Sequence, residues 1–180
     1  SVFIVILMAS LCPIEAKDSP VMKVSNEEQF WNWYYSDDSE ECEFINDVIM
    51  TGTSGPTYGY LYETDIPKKI NAGQYSFIVD RWLKFENSKF SINGDGIHKP
   101  VLVFSDLEDQ LLRNNIEYLH ITATKGQAMY IGKNRDVQMY SSLAKEWPIE
   151  ILSYGDGITY SEVSDYYIGN ARIDSQYGEG

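Results

Sequence analysis

Alternation of apolar and polar side chains along short segments is the feature that most constrains this chain. The clearest case is Ile116–Thr124, where Leu119 and Ile121 share one face and Tyr118 and His120 share the other. A period of two is the period of a β-strand that buries one face and exposes the other. The pattern therefore predicts a β-rich chain rather than a helical one.

Further strand-like segments are separated by glycine-containing turns. The predicted strands are Tyr58–Tyr62, Gln74–Val79, Lys89–Ile92 and Val101–Phe104, and the predicted turns are Asn71–Gly73, Asn93–Gly96, Lys125–Gly126 and Gly155–Gly157. Such turns supply the positive φ angles that antiparallel hairpins need. With about ten short strands and little helix, the predicted fold is all-β: an antiparallel β-sandwich of jelly-roll type.

Two short helices are predicted within this β-rich chain. Asn26 is a suitable N-cap for a helical turn over Asn26–Tyr34, and Ser105–Glu108 has the spacing of a capping box before a helix over Asp106–Asn114. The aromatic cluster Trp31–Tyr35 is interpreted as a segment that covers the core.

Two short sequences occur twice, but they do not indicate a repeat. The tetrapeptide Gly-Asp-Gly-Ile begins at Gly94 and again at Gly155, and Tyr-Ile-Gly begins at Tyr130 and again at Tyr167. The two spacings differ, whereas a repeat array requires a shared period. We therefore predict no repeat array.

The N-terminus has the pattern of a signal peptide whose first residues are missing. The apolar run Val2–Ala9 is too short to span a bilayer, and Ile14 and Ala16 fit the −3/−1 pattern of signal peptidase. We predict a signal peptide over 1–16, a single β-rich domain over 17–180, and secretion without a stable membrane anchor. The chain lacks an initiator methionine and ends on a glycine-rich tail, so we expect neither terminus to be complete.

Charge and cysteine content restrict the partners. The chain carries 27 acidic and 14 basic residues, a net charge of −13, which disfavours nucleic acid and anionic membranes. After loss of Cys12 with the signal peptide, Cys42 is the only cysteine, which predicts either a buried thiol or a dimer through an intermolecular disulfide. The neighbouring Glu41 and Glu43 raise the pKa of the Cys42 thiol and disfavour a nucleophilic role.

Motifs for catalysis, metals or cofactors are absent from the sequence. His98 and His120 are the only histidines, too few for a three-histidine zinc site. The glycines near Gly94 and Gly155 lack the third glycine and the following helix of a nucleotide-binding loop. The acidic runs lack the ligand spacing of a calcium loop. We predict no catalytic residue, no metal and no cofactor.

Aromatic side chains on strand faces are the candidate ligand-binding residues. Tyr58, Tyr60 and Tyr62 alternate along one predicted strand, and Tyr118 and His120 lie on the polar face of another. Planar amphipathic rings on a rigid sheet suit sugars or a flat protein partner. We therefore predict these five residues as binding residues for a carbohydrate or protein ligand.

Five segments share their order and spacing with a known family: Asn71–Val79, Lys89–Ile92, Pro100–Asp106, Ile116–Ile121 and Ala128–Ile131. Together they resemble the domain named for farnesoic acid O-methyltransferase in arthropods. The resemblance covers about Cys42–Ile131, half of the chain. It departs from the family at Phe104 or Ser105 and at Tyr130, where the family usually has tryptophan.

The resemblance implies two alternative functions. The family name implies methyl transfer from S-adenosylmethionine to a sesquiterpenoid acid, whereas the occurrence of the domain in secreted and cell-surface proteins implies a recognition module. A methyltransferase of Rossmann type needs alternating strands and helices with a glycine-rich loop, which the sequence lacks. We predict a secreted recognition module. A methyltransferase or other terpenoid-handling protein is the first alternative, and a structural or venom-like protein dimerised through Cys42 is the second.

Overall fold

The computed structural model describes residues 21–55, 60–61, 64–81, 83–106, 111–141, 148–161 and 163–180. In chain order its elements are β1 (Met22–Val24), α1 (Glu27–Tyr34), β2 (Glu41–Phe44), β3 (Val48–Met50), β4 (Tyr60–Leu61), β5 (Lys68–Gly73), β6 (Phe77–Val79), β7 (Lys84–Gly94), β8 (Leu102–Phe104), β9 (Leu111–Ala123), β10 (Met129–Ile131), β11 (Asn134–Tyr140), β12 (Ile149–Ser153), β13 (Ile158–Tyr160), β14 (Val163–Ile168) and β15 (Ala171–Ser175).

The strands form two parallel sheets wound into a β-solenoid. In the larger one, sheet A, the strand order is β1-β2-β5-β7-β9-β11-β14, with β12 and β15 continuing the last two levels and β4 beside β7. In sheet B the order is β13-β10-β8-β6-β3. The chain passes from one sheet to the other and returns one level higher, so each strand lies parallel to its neighbour on the previous level.

The predicted antiparallel sandwich, or jelly roll, is therefore wrong, although the prediction of a β-rich chain is confirmed. The physical reason is that a period of two reports which face of a strand is buried, and says nothing about the direction of its neighbour. Residue types alone do not distinguish a hairpin turn from a solenoid corner. Gly96, Gly126 and Gly155 lie at corners of the solenoid, whereas Asn71–Gly73 ends β5 and Asn93–Gly94 ends β7.

Stacked glycines show why those corners need this residue. Gln127 N donates to Gly96 O at 2.8 Å, and Gly155 N donates to Gly126 O at 2.9 Å. A Cβ atom at position 126 would lie 2.0 Å from Gly96 O. Corners on successive levels thus touch through their main chains, and a side chain at Gly126 has no room.

The core is built from ladders of equivalent residues on successive levels. The longest ladder runs along sheet A through Met22, Cys42, Ile70, Ile92, Ile121, Ile151 and Ile173. The chain length between ladder neighbours varies, because the loops outside the sheets differ in size. The structure therefore repeats although the sequence has no fixed period. The prediction of no repeat array is wrong, because it relied on a fixed sequence period.

One of the two predicted helices is confirmed. Helix α1 begins after Asn26, whose side-chain Oδ1 accepts a hydrogen bond from Gln29 N at 2.9 Å. The second predicted helix, Asp106–Asn114, is wrong over 111–114, which belong to β9, while 107–110 lie outside the described residues. Pairing of β9 with β11 outweighs the local helix signal there. No helix in the described ranges is long and apolar enough to cross a membrane.

Helix α1 covers one end of the solenoid core. Phe30 stacks on Phe77 with ring centroids 4.9 Å apart, and Trp33 and Tyr34 are fully buried. The interpretation of the aromatic cluster as a core-covering segment is confirmed for its buried members, whereas Tyr35 is exposed. The predicted signal peptide, residues 1–16, lies outside the described residues.

Candidate ligand-binding face

The structure brings two of the five predicted binding residues together. Tyr118 and His120 lie on the outer side of β9 with ring centroids 5.0 Å apart, and both are half-buried. Tyr60 lies on β4, beside β7, and only its main chain is described. Tyr58 and Tyr62 lie outside the described residues, so their position relative to Tyr118 stays a prediction.

A β-bulge in β9 directs the side chain of Tyr118 to the outer face of sheet A. Ser88 pairs with Ile116 and Lys89 pairs with Tyr118, which leaves Glu117 as an extra residue on β9. Because of the extra residue, Glu117 and Tyr118 both lie away from the core, while Ile116 stays buried. Bulges re-aim side chains locally, and they are common beside functional sites.

An ion pair lies across the bulge next to the tyrosine ring. Lys89 Nζ is 3.3 Å from Glu117 Oε2, and both side chains are largely buried. Burial raises the pKa of the Tyr118 phenol, although the charge of Lys89 opposes this and that of Glu117 adds to it. Tyr118 therefore keeps its proton and can both donate and accept a hydrogen bond at neutral pH.

Sheet A is divided on the level that follows this bulge. Tyr140, the last residue of β11, pairs with Asn115, and Ile149, the first residue of β12, pairs with Leu119. The segment 116–118 of β9 therefore lies opposite the junction of two strands. The next level is divided in the same place by Asn170, which lies between β14 and β15 at φ 54°. The divided levels form an irregularity beside the Tyr118–His120 pair.

Most of the side chains beside the pair on the outer face of sheet A are polar. His120 lies between Ser91 on the level below and Glu150 on the level above, and Thr122 lies beside Asn93. These four neighbours are polar, whereas Leu152, which pairs with Thr122 on the level above, is apolar and half-buried. Ser91 and Asn93 are half-buried.

Several charges on this face are paired. Lys69 Nζ lies 2.6 Å from Glu41 Oε1, and Arg172 Nη1 lies 3.4 Å from Glu150 Oε1. The hydrogen bond from Lys69 lowers the pKa of the Glu41 carboxyl, although burial opposes this shift. The paired charges reduce the effect of the strongly acidic composition on this part of the surface.

The sequence did not identify Lys89, Ser91 and Glu117 as members of this site. Alternation along β7 predicts that the side chains of Lys89 and Ser91 point to the same face of the strand. Their proximity to Tyr118 and His120 depends on the register between β7 and β9. That register contains the bulge at Glu117, for which the sequence has no local signal.

Cys42, the only described cysteine, is fully buried in the ladder between Met22 and Ile70. Burial raises the pKa of its thiol, an effect that Lys68 opposes and Glu41 increases. An intermolecular disulfide would require this part of sheet A to open. The dimer through Cys42 stays a prediction.

The described residues contain no group of three or more histidine, cysteine, aspartate or glutamate side chains that could hold a metal ion. No family model, no curated protein and no solved structure matches the chain. The resemblance to the farnesoic acid O-methyltransferase-like domain therefore stays a prediction, as does secretion.

Proposed function

We propose that this protein is a recognition module, secreted as its N-terminus predicts, that binds a carbohydrate on the outer face of sheet A. The proposal is supported chiefly by the half-buried Tyr118–His120 pair, held on a long parallel strand beside a bulge. A ring that is fixed by its sheet loses little conformational freedom on binding, which favours stacking against the face of a sugar.

The surroundings of the pair favour a carbohydrate over a protein partner. Ser91, Asn93 and Thr122 offer hydroxyl and amide groups, which can donate and accept hydrogen bonds with sugar hydroxyls. The centre of a protein interface usually contains larger aromatic or aliphatic anchors surrounded by a polar rim. A net charge of −13 further favours a neutral glycan over an acidic one.

The repetition of the solenoid suits an extended ligand. Neighbouring strands in a sheet lie about 4.8 Å apart, so outward side chains recur at that interval along the solenoid axis. Ser91, His120 and Glu150 form one such row on three successive levels. An oligosaccharide lying along the row would meet one side chain on each level.

Substituting alanine for Tyr118 should weaken glycan binding at least tenfold, which corresponds to about 1.4 kcal/mol of binding free energy. The loss is expected because the ring contributes a stacking surface that alanine lacks. A glycan array with the 180-residue chain first identifies a neutral oligosaccharide, and calorimetric titration with that oligosaccharide then measures the affinity.

Tyr130→Ala is the matched control for this experiment. Tyr130 is also a half-buried outward tyrosine, but it lies on β10 in sheet B, on the other side of the solenoid. The proposal predicts that Tyr130→Ala binds the glycan as the unaltered chain does. Equal losses from both substitutions, or an unchanged affinity in folded Tyr118→Ala, would contradict it. So would a chain that binds no glycan on the array.

A further inference from the structure

The two ends of the solenoid differ in how they cover the core. At the N-terminal end α1 buries Phe30, Trp33 and Tyr34 completely. At the C-terminal end, core-facing residues of the last level are exposed: Tyr160 is 55% exposed, Tyr166 57% and Ile173 37%. With Ile131, Ile158 and Ile168, these three residues line an apolar groove of about 210 Å³. In the described chain, this groove is an uncovered cross-section of the core.

Strand β15 forms part of the rim of this groove and has an available edge. Within the described residues it pairs only with β12. Gln176 N donates to Ser153 O at 3.0 Å, and Ile149 N donates to Asn170 O at 3.4 Å. Because main-chain groups alternate in direction along a strand, those of Ile173 point away from β12. They are oriented to pair with one more strand.

We propose that the C-terminal end binds a second copy of this chain, through antiparallel pairing of β15 with itself about a two-fold axis at Ile173. The charge pattern of β15 is self-complementary about that residue. Arg172 and Asp174 flank Ile173, so the two-fold axis places Arg172 opposite Asp174 of the second copy, and Asp174 opposite its Arg172. Opposite charges on directly opposed residues stabilise antiparallel pairs.

The main-chain geometry agrees with this pairing. With its N–H and C=O directed outward, Ile173 forms a hydrogen-bonded pair with its counterpart. Arg172 and Asp174 then occupy the flanking non-hydrogen-bonded pairs, in which opposed side chains come closest. Arg172 already reaches a carboxylate two residues along its own strand, since its Nη2 lies 3.2 Å from Asp174 Oδ2. The paired strands would also bring the two Ile173 side chains together and extend the apolar ladder.

A head-to-tail stack is the competing arrangement, because β1 at the opposite end also pairs on one side only among the described strands. It is disfavoured since α1 already covers the core at that end, leaving the exposed tyrosines without an apolar partner. Asp174 on β15 and Lys23 on β1 are equivalent residues, at the two ends of one ladder of paired residues along sheet A. A stack would therefore place Asp174 beside Lys23 of the next copy.

Sedimentation equilibrium of the 180-residue chain in reducing buffer tests the proposal, because reductant removes any dimer formed through cysteine. The expected result is a concentration-dependent dimer. Arg172→Asp and Asp174→Arg should each weaken that dimer at least tenfold, because each replaces attractive pairs by repulsive ones. The double exchange, Arg172→Asp with Asp174→Arg, should restore dimerisation to within a few-fold of the unaltered chain. Circular dichroism confirms that each variant is folded.

The double exchange separates the two arrangements. In the two-fold dimer it regenerates opposite charges across the contact, whereas in a head-to-tail stack it places an arginine beside Lys23 and prevents recovery. A monomer at all concentrations, a series of species larger than a dimer, or a dimer unaffected by the single substitutions would overturn the proposal.

Discussion

Glu27→Gln is expected to lower the free energy of unfolding by about 2 kcal/mol or more, because it weakens a buried set of charge-assisted hydrogen bonds. The buried Glu27 carboxylate accepts hydrogen bonds from the main-chain N–H groups of Thr51, Gly52 and Thr53, at 3.1, 2.9 and 3.2 Å. The Nη1 atom of Arg81 lies 3.7 Å away. Glutamine keeps the shape but points an N–H₂ group at donors.

These bonds connect the first turn of α1 to the loop after β3, so the substitution also loosens the cover over the core. Burial alone would raise the pKa of Glu27, but hydrogen bonds from Gly52 and Thr51 outweigh burial and hold it below its ordinary value of 4.5. A carboxyl whose pKa is lower in the folded state stabilises the fold above its unfolded pKa. This stabilisation is lost as the pH falls through the folded pKa.

Urea denaturation at neutral pH and in acid measures both effects. The difference between Glu27→Gln and the unaltered chain should be largest at neutral pH and should shrink in acid. Glu28→Gln is the control, since Glu28 is the adjacent, exposed residue of the same helical turn. It should change the free energy of unfolding by less than about 0.5 kcal/mol. Equal effects of the two substitutions would contradict the account of Glu27.

Lys68→Met should lower the free energy of unfolding by about 3 kcal/mol, because it leaves buried carbonyl groups without a donor. The fully buried Nζ of Lys68 donates to the carbonyl oxygen atoms of Trp33, Ser36 and Ser39. It also lies 5.4 Å from the centre of the Trp33 ring. The ammonium group thus takes the place of a basic residue in the last turn of α1, where the helix has none.

Lys69→Met provides the control for this substitution. Lys69 is the next residue of β5, points outward, and forms a surface ion pair with Glu41. Such pairs contribute at most about 1 kcal/mol, so Lys69→Met should have a small effect. Burial lowers the pKa of Lys68, although Asp37 opposes this shift. Urea denaturation of both variants checks the prediction, and a loss from Lys68→Met no larger than that from Lys69→Met would contradict it.

The sequence predicted local features of the fold better than it predicted their arrangement. Alternation identified the second half of β9 and the placement of Tyr118 and His120 on one face of it, and Asn26 identified the start of α1. Lys68 shows the opposite case. Because it is adjacent to Lys69, its sequence context predicts a surface residue. Its burial is explained by hydrogen bonds to carbonyl groups at the end of α1, which is distant in sequence.

The direction of the strands could not be derived from the same patterns. Glycine at a hairpin and glycine at a solenoid corner satisfy similar local requirements, and Gly126 shows the difference only through its contact with Gly96 on another level. The predicted helix over Asp106–Asn114 failed for a related reason, because pairing between β9 and β11 is a long-range contact. The bulge at Glu117 likewise depends on the register between β7 and β9, and so does the position of Lys89 beside Tyr118.

The parallel register of sheet A positions the proposed binding face, the edge of the proposed dimer and the stacked corners. Nuclear Overhauser contacts between isoleucine methyl groups test it directly, because stacked ladder residues lie on strands about 4.8 Å apart. In a methyl-labelled sample the account predicts contacts linking Ile70 to Ile92, Ile92 to Ile121, and Ile121 to Ile151. A folded sample without the Ile92–Ile121 contact, or with main-chain contacts of antiparallel type between β7 and β9, would contradict the account.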